Sequence, residues 1–327
     1  DFFAFFEATR SPIAVRSSSL LEDSHYQPFA GIYSTYMIPY LEDKYEMLRM
    51  LACAIKAVYA SVYYRDSKAY MTATSNVIDQ EKMAVILQQV VGKQYDNRFY
   101  PNLSGVLRSL NYYPIGDEKA EEGIASLALG LGKYIVDGGQ TLRVCPYHPH
   151  QVLQLSELKL ALRETQTQFY ALDMQHVGED FKVDDGFNIL KLNLKDAEAD
   201  GSLLYIASTY SVDDETIYEG LYEGRKIISC CGVLQQGVFP LPELLQMAMR
   251  YGADAMRRPV EIEFAVNINA DKTGELYLLQ IRPIVDSKQR LDENLSSIPD
   301  EQCLLRSNNS LGHGISDDVK DVVYVKT

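Results

Sequence analysis

The sequence contains no Cys-x-x-Cys pair and no long apolar run. Its five cysteines, Cys53, Cys145, Cys230, Cys231 and Cys303, are odd in number, and the only close pair is adjacent. That spacing suggests neither a zinc site nor a disulfide framework, and a reducing, cytoplasmic compartment is the simplest reading. No segment approaches the roughly 18 apolar residues of a membrane helix. The apolar start, Phe2-Phe3-Ala4-Phe5-Phe6, is short and has no basic flank before it, so it makes a poor signal peptide. Positive charge is scarce too: 31 Lys and Arg stand against 45 Asp and Glu, a net charge of -14. Such a balance repels nucleic acid and anionic membrane, so neither is expected as a partner. A few local arginines still overcome that field at short range, so a phosphate ligand remains compatible with it.

The 327 residues, 46% of them hydrophobic, suffice for a sizeable core and suggest two lobes or domains. Pro12-Ile13-Ala14-Val15-Arg16 reads as a buried strand ending in a charge, with Ser17-Ser18-Ser19 behind it. Residues 43–60 carry apolar positions at helical spacing, and 84–91 read as a β-branched strand. Ser104-Gly105-Val106-Leu107 is expected to be another strand, and 124–139 a strand, a glycine-loosened turn and an Asp-Gly turn. Residues 155–171 suggest a helix or helical connector. The acidic stretch 177–224 holds strand-like pieces such as 203–207. Pro240 to Tyr251 predicts a helix with Gly252 as its stop. Val260–Asn267 and Glu275–Ile281 then predict a hairpin. Beyond 286 the chain reads as a linker, with a last strand at 322–325.

The hairpin carries the first candidate chemistry. Alternation places Glu261 and Glu263 on one face of their strand, and Gln280 and Arg282 on one face of the next. Carboxylate and amide oxygens suit Mg²⁺, and a guanidinium suits phosphate. The same pattern also suits a solvated surface hairpin whose ion pairs count for little. Arg16 and the serines behind it could surround an anion, or simply close a strand end. Gly130-Leu131-Gly132 is half of a glycine-rich phosphate loop, without the helix start that a dinucleotide fold needs. His148 and His150 flank a proline in an HxH pair with no evident third ligand, which favours a surface loop. His313, in Gly312-His313-Gly314, could accept a phosphoryl group, although its linker setting favours a plain surface residue, and no Ser–His–Asp or Cys–His set can be argued.

These segments, in this order, resemble one family. Ala14-Val15-Arg16-Ser17-Ser18, then Glu22-Asp23 and Phe29-Ala30-Gly31, resemble the AVRSS…ED…FAG segment of phosphoenolpyruvate synthases. Leu87-Gln88-Gln89-Val90-Val91, Ser104-Gly105-Val106 and Gly130-Leu131-Gly132 resemble its VQxMV, SGV and GLG segments. Glu261-Ile262-Glu263-Phe264 and Leu279-Gln280-Ile281-Arg282-Pro283 resemble its DIEW/F and LQxRP pair. The likeness to the phosphoenolpyruvate synthase and pyruvate phosphate dikinase family, in its N-terminal ATP-binding domain, runs from about Ile13 to Pro283.

The resemblance implies an α+β, two-lobed ATP-grasp fold, incomplete at its N-terminus. Residues 1–90 would be the remainder of the first lobe and 91–285 the second, with an acidic insertion near 177–224. Residues 286–327 would lead to a phosphohistidine domain. It further implies that Arg16 and Arg282 act on the phosphates as catalytic and ATP-binding residues. Gln89 and Val90 would lie near adenine, Glu261 would be an acidic neighbour in the ATP site, and Glu263 and Gln280 would hold Mg²⁺. The implied partners are ATP and the phosphohistidine and pyruvate-binding domains of the same parent chain. Related phosphotransferases with a glucan or antibiotic acceptor, and a non-catalytic nucleotide-sensing or scaffold domain, are the rival readings. Arg108 and Lys133 depart from the family pattern of SGVxFT and GLGE and keep the last of these open. The chain starts without Met and is expected to be a fragment lacking the family's upstream glycine-rich, lysine-bearing segment, and so inactive by itself.

Overall fold

A β-branched run and its partners build the first sheet. Ile13–Ser19 (β1) lies at its centre, antiparallel to both Tyr36–Ile38 (β2) and Met83–Gln89 (β3). This computed structural model describes residues 2–19, 33–65, 67–69, 81–175, 181–184 and 186–284, with isolated positions 299, 302, 303 and 320. The Glu22-Asp23 and Phe29-Ala30-Gly31 segments, His176, His313, the body of the 286–327 linker and the strand expected at 322–325 lie outside the described residues.

The helix Lys44–Ser61 covers this sheet. Asp43 starts it: its side chain accepts from the Tyr45 and Glu46 amides at 2.9 and 3.3 Å, satisfying donors that have no partner in a first helical turn. Met47, Met50, Leu51, Ala54 and Val58 are buried on one face, against Ile13, Val15, Tyr36 and Ile38. The helix Phe2–Thr9 adds Phe6 to the same cluster. The strand expected to end at Arg16 continues through the serines, since Ser17, Ser18 and Ser19 pair with Val85, Ala84 and Met83. Pairing with β3 engages alternate amides of this run, and Ser17 still lines the cleft.

A second and larger core lies around three further sheets. Lys93–Tyr95 (β4), Arg98–Tyr100 (β5), Gln168–Asp173 (β9) and Ile189–Asn193 (β10) form one, in the order β10-β9-β5-β4. Leu103–Arg108 (β6), Ile124–Ala128 (β7), Leu142–Val144 (β8), Val260–Ile268 (β14) and Gly274–Pro283 (β15) form another, in the order β15-β14-β6-β7-β8. Ala207–Ser211 (β11), Thr216–Glu219 (β12) and Arg225–Ile228 (β13) make a small third. Helix and strand are thus mixed in an α+β arrangement.

The expected hairpin forms, with Glu261 paired to Arg282 and Glu263 to Gln280. A bulge follows between Glu263 and Phe264. The helix Leu241–Met256 packs on β14 and β15. Gly252 does not stop it. A β-carbon at Gly252 would come within 2.9–3.2 Å of Ile281, Ile262 and Val260, so the glycine admits close contact with the sheet. The helix ends at Arg257, whose φ of 52° is left-handed.

Other local expectations were redrawn by packing. Residues 133–136 form a one-turn helix rather than extended chain. Only Leu158–Glu164 of the 155–171 stretch is helical. Leu203 is in a turn, and the strand begins at Ala207.

The edge strand β8 carries a buried ion pair. The Glu118 side chain is 2% exposed. It accepts from Arg143 at 3.1 and 2.8 Å, from Asn111 at 2.9 Å and from the Ile115 amide at 3.0 Å. Burial alone would raise its pKa, but the Arg143 hydrogen bonds and the Ile115 amide outweigh burial and hold the carboxyl below its ordinary value. A carboxyl lowered in the folded state contributes stability above the unfolded pKa and loses it as pH falls through the folded value. Glu118→Gln is therefore expected to cost about 2 kcal/mol at neutral pH. The deficit should shrink as the pH drops below the ordinary carboxyl range, which urea titrations at neutral and acidic pH would show.

Candidate functional site

The two cores face each other across a cleft of about 650 Å³. That is the size of ordinary small-molecule sites. β1 and β3 line one side through Arg16, Gln88 and Gln89, with Val90 just beyond β3. β6 and the hairpin line the other through Gly105, Val106, Arg108, Glu261, Glu263 and Arg282. Leu131, Gly132, Lys133 and Asp137 close one end.

Arg16 is the link between the sides. Its guanidinium donates to the Gln88 side-chain oxygen at 3.1 Å and to the Glu263 carboxylate at 3.3 Å. The same nitrogen that meets Glu263 also donates to the Gln280 side-chain oxygen. Gln88 in turn donates to the Leu279 carbonyl at 3.1 Å. Residues 247 and 264 positions apart in sequence thus meet at one group. The Arg16 and Glu263 side chains are 18% and 28% exposed, so water still reaches the pair.

Five of the sequence-predicted residues lie together where β1 meets the hairpin. Glu263, Gln280 and Arg16 share one hydrogen-bonded group, and Glu261 and Arg282 form the next pair on the same face of the hairpin, two register positions away. Gln89 and Val90 also line the cleft, Gln89 exposed and Val90 buried. It is Gln88, not Gln89, that reaches the Arg16 cluster. The signal was present in the strand period: Arg16 pairs with Ile86, and Gln88, two residues further, shares that face. Tyr33, Thr35 and Met37 also line the cleft and carried no motif.

Two departures from the family pattern find partners within the protein. Arg108 binds the Glu261 carboxylate at 2.6 Å from the neighbouring strand. Lys133 binds Asp137 four residues on, at 3.3 Å. Gly130 adopts a φ of +87°, and a β-carbon there would come within 2.6 Å of the Tyr170 carbonyl. That glycine lets the loop after β7 lie against β9.

A family profile described as "Pyruvate phosphate dikinase, AMP/ATP-binding domain" matches residues 3–302. The chain belongs to this family. As a member of the dikinase AMP/ATP-binding domain family it is an ATP-binding module. A phosphoenolpyruvate synthase of Aeropyrum pernix is 23% identical over 295 residues, covering 89% of this chain and 31% of that protein. A Bacillus subtilis protein described as the uncharacterized phosphotransferase YvkC is 29% identical over 141 residues, covering 43% of this chain and 15% of that protein. The chain thus spans less than a third of the length of either relative. No helix among the described residues is long and apolar enough to cross a membrane.

The donors at the centre of this ATP-binding module also suit a divalent cation. Glu263 and Gln280 turn side-chain oxygens toward one point, and there they already share a positive group, the Arg16 guanidinium. Two oxygens converging on one positive charge match the preference of Mg²⁺ for oxygen ligands.

Proposed function

We propose that this chain is the ATP-grasp module of a phosphoenolpyruvate synthase-like dikinase. It would pass a phosphoryl group from Mg-ATP to a histidine on a separate swivelling domain, for conversion of pyruvate to phosphoenolpyruvate in a pyruvate-binding domain. Residues 1–90 and 91–285 are the two lobes, 177–224 is an acidic insertion in the second, and 286–327 leads towards the histidine domain. The observation that carries this reading is the meeting of Arg16 with Glu263 and Gln280 across the cleft.

In this reading ATP lies in the cleft with adenine near Gln89 and Val90. Its phosphates run toward Arg16 and Arg282, which offset charge that builds on the transferring group. Glu263 and Gln280 would hold Mg²⁺, which supplies charge neutralisation at the phosphates when bound. Glu261 sits beside that group and is kept in place by Arg108. A histidine ring nitrogen forms the new P–N bond as the P–O bond to the nucleotide breaks, and the electron pair leaves with the nucleotide oxygen. The protein's work is alignment and electrostatic stabilisation. The pyruvate acceptor follows from the family resemblance and is supported by the phosphoenolpyruvate synthase relative.

Mg-ATP binding to the native state alone raises stability, by about 2.7 kcal/mol at a ligand concentration 100 times Kd. Millimolar Mg-ATP is therefore expected to raise the Tm of the full-length protein by several degrees. An unchanged Tm at that concentration would count against the reading.

A further inference from the structure

A second constellation lies outside the cleft-lining residues. Glu122, Cys145 and His148 present a carboxylate oxygen, a thiol sulfur and an imidazole nitrogen, all within 4.8 Å of one another. From this geometry we infer that Cys145, His148 and Glu122 form a binding site for a zinc-class divalent transition ion, with its fourth position open to solvent.

The local chain is built to aim these groups at one point. β8 ends at Val144, and Cys145 to His148 make a tight turn closed by the His148 amide on the Cys145 carbonyl at 3.0 Å. Pro146 within the turn has its carbonyl held by Gln246, from the helix Leu241–Met256, at 2.8 Å. Glu122 enters from the turn before β7. Its Oε2 accepts the Lys119 amide at 2.8 Å and faces His148 Nε2 at 3.0 Å. Glu122 is thus held from outside the trio by the Lys119 amide, and the Cys145–His148 turn by Gln246.

The protein by itself disfavours a thiolate at Cys145. Cys145 is fully buried, and burial, the largest influence, pushes its thiol above the ordinary value. The backbone N–H groups of Tyr147 and His148 reach its sulfur and pull the other way. A coordinated metal removes the thiol proton outright. The neighbouring Glu118 is already matched by Arg143, which leaves Glu122 as the carboxylate facing the sulfur and imidazole. His148 and Glu122 side chains are 24% and 18% exposed, so the ion has a path in from solvent.

The donor set selects the metal class. One sulfur, one nitrogen and one oxygen at these separations suit a tetrahedral ion, whose bonds of roughly 2.0–2.3 Å put ligand atoms about 3.5 Å apart. A thiolate disfavours Mg²⁺ and Ca²⁺ and favours Zn²⁺ or Co²⁺. The HxH pair in the sequence pointed to the wrong partner. His150 is exposed and outside the cluster, whereas Cys145 lies three residues before His148 and Glu122 arrives from another strand connection. A bound ion would tie the edge strand β8 to the segment entering β7.

The test uses the full-length protein with Zn²⁺ or Co²⁺ as the probe. One equivalent of Co²⁺ should bind and give a sulfur-to-cobalt charge-transfer band in the near ultraviolet, and Zn²⁺ should bleach it. Cys145→Ser should abolish the band. Cys145→Ser and His148→Ala should each weaken Zn²⁺ binding by more than the roughly 10- to 100-fold that loss of an outer partner costs. His150→Ala should leave it unchanged, and all three variants should keep the Mg-ATP shift in Tm. Absence of the band in the unaltered protein would overturn the inference, and this arm needs no variant to fold. Equal Zn²⁺ affinity in Cys145→Ser, or a loss in His150→Ala as large as in His148→Ala, would overturn it as well.

Discussion

Arg282→Ala in the full-length protein is expected to lower ATP-dependent histidine phosphorylation by about 10³-fold or more, the scale on which an arginine acts at a transferring phosphoryl group. Arg282 lines the cleft two register positions from the Glu263–Gln280 pair, on the same face of the hairpin. Its side chain is partly exposed there, so removing it opens the site without hollowing a core. The fold should therefore survive, and the Mg-ATP shift in Tm should fall only modestly. Arg282→Lys keeps the charge but loses the planar fork and should restore little. Rapid-quench measurement of phosphohistidine formation reads this directly. Retained phosphorylation in Arg282→Ala would remove Arg282 from the transfer step.

The second large effect concerns Gly105. It lies in β6 opposite Phe264 of β14, and a β-carbon there would sit 2.2 Å from the Phe264 ring. Phe264 is 1% exposed, belongs to the larger core and borders the cleft. A 2.2 Å approach cannot stand, so Gly105→Ala must push the ring or spread the strands. Overpacking of this kind costs about 1–3 kcal/mol, and the closeness of the contact argues for the upper end. Phe264 directly follows Glu263 at the bulge, so a displaced ring also moves the carboxylate in the cleft. Gly105→Ala should consequently lower both the Tm and the shift produced by Mg-ATP. Gly105→Ala combined with Phe264→Leu should recover part of the stability, as residues in direct contact couple. Strict additivity of the two substitutions would show that the ring is not the obstacle.

Much of this was legible in the chain. Strand periodicity gave the β14–β15 pair and its facing residues, because one face of each strand must be buried and the register follows. The resemblance drew attention to Arg16, Glu263 and Gln280 together, which no local pattern could do. A contact 264 positions apart is decided by tertiary packing alone. Gln88 was missed because the motif emphasised its neighbour, although the pairing period favoured Gln88. β1 runs past Arg16 because β3 offers the serines a full partner strand, which outweighs their weak strand preference. Glycine commonly ends helices, which makes Gly252 look like a stop, whereas here the absent side chain makes room for Ile281, Ile262 and Val260. The Cys145 cluster could not be seen at all, since two of its members come from one turn and the third from a different connection.

The guanidinium between Glu263 and Gln280 has a consequence for how the cleft can be filled. Those two oxygens are already engaged by a tethered cation, so a free divalent ion arriving alone competes with a neighbour that never diffuses away. Polyphosphate changes that balance, because it offers Arg16 a new anionic host and brings its own ion along. With Glu263 and Gln280 as the proposed metal ligands, metal and nucleotide would be interlocked: each should enter readily in the other's company and poorly by itself.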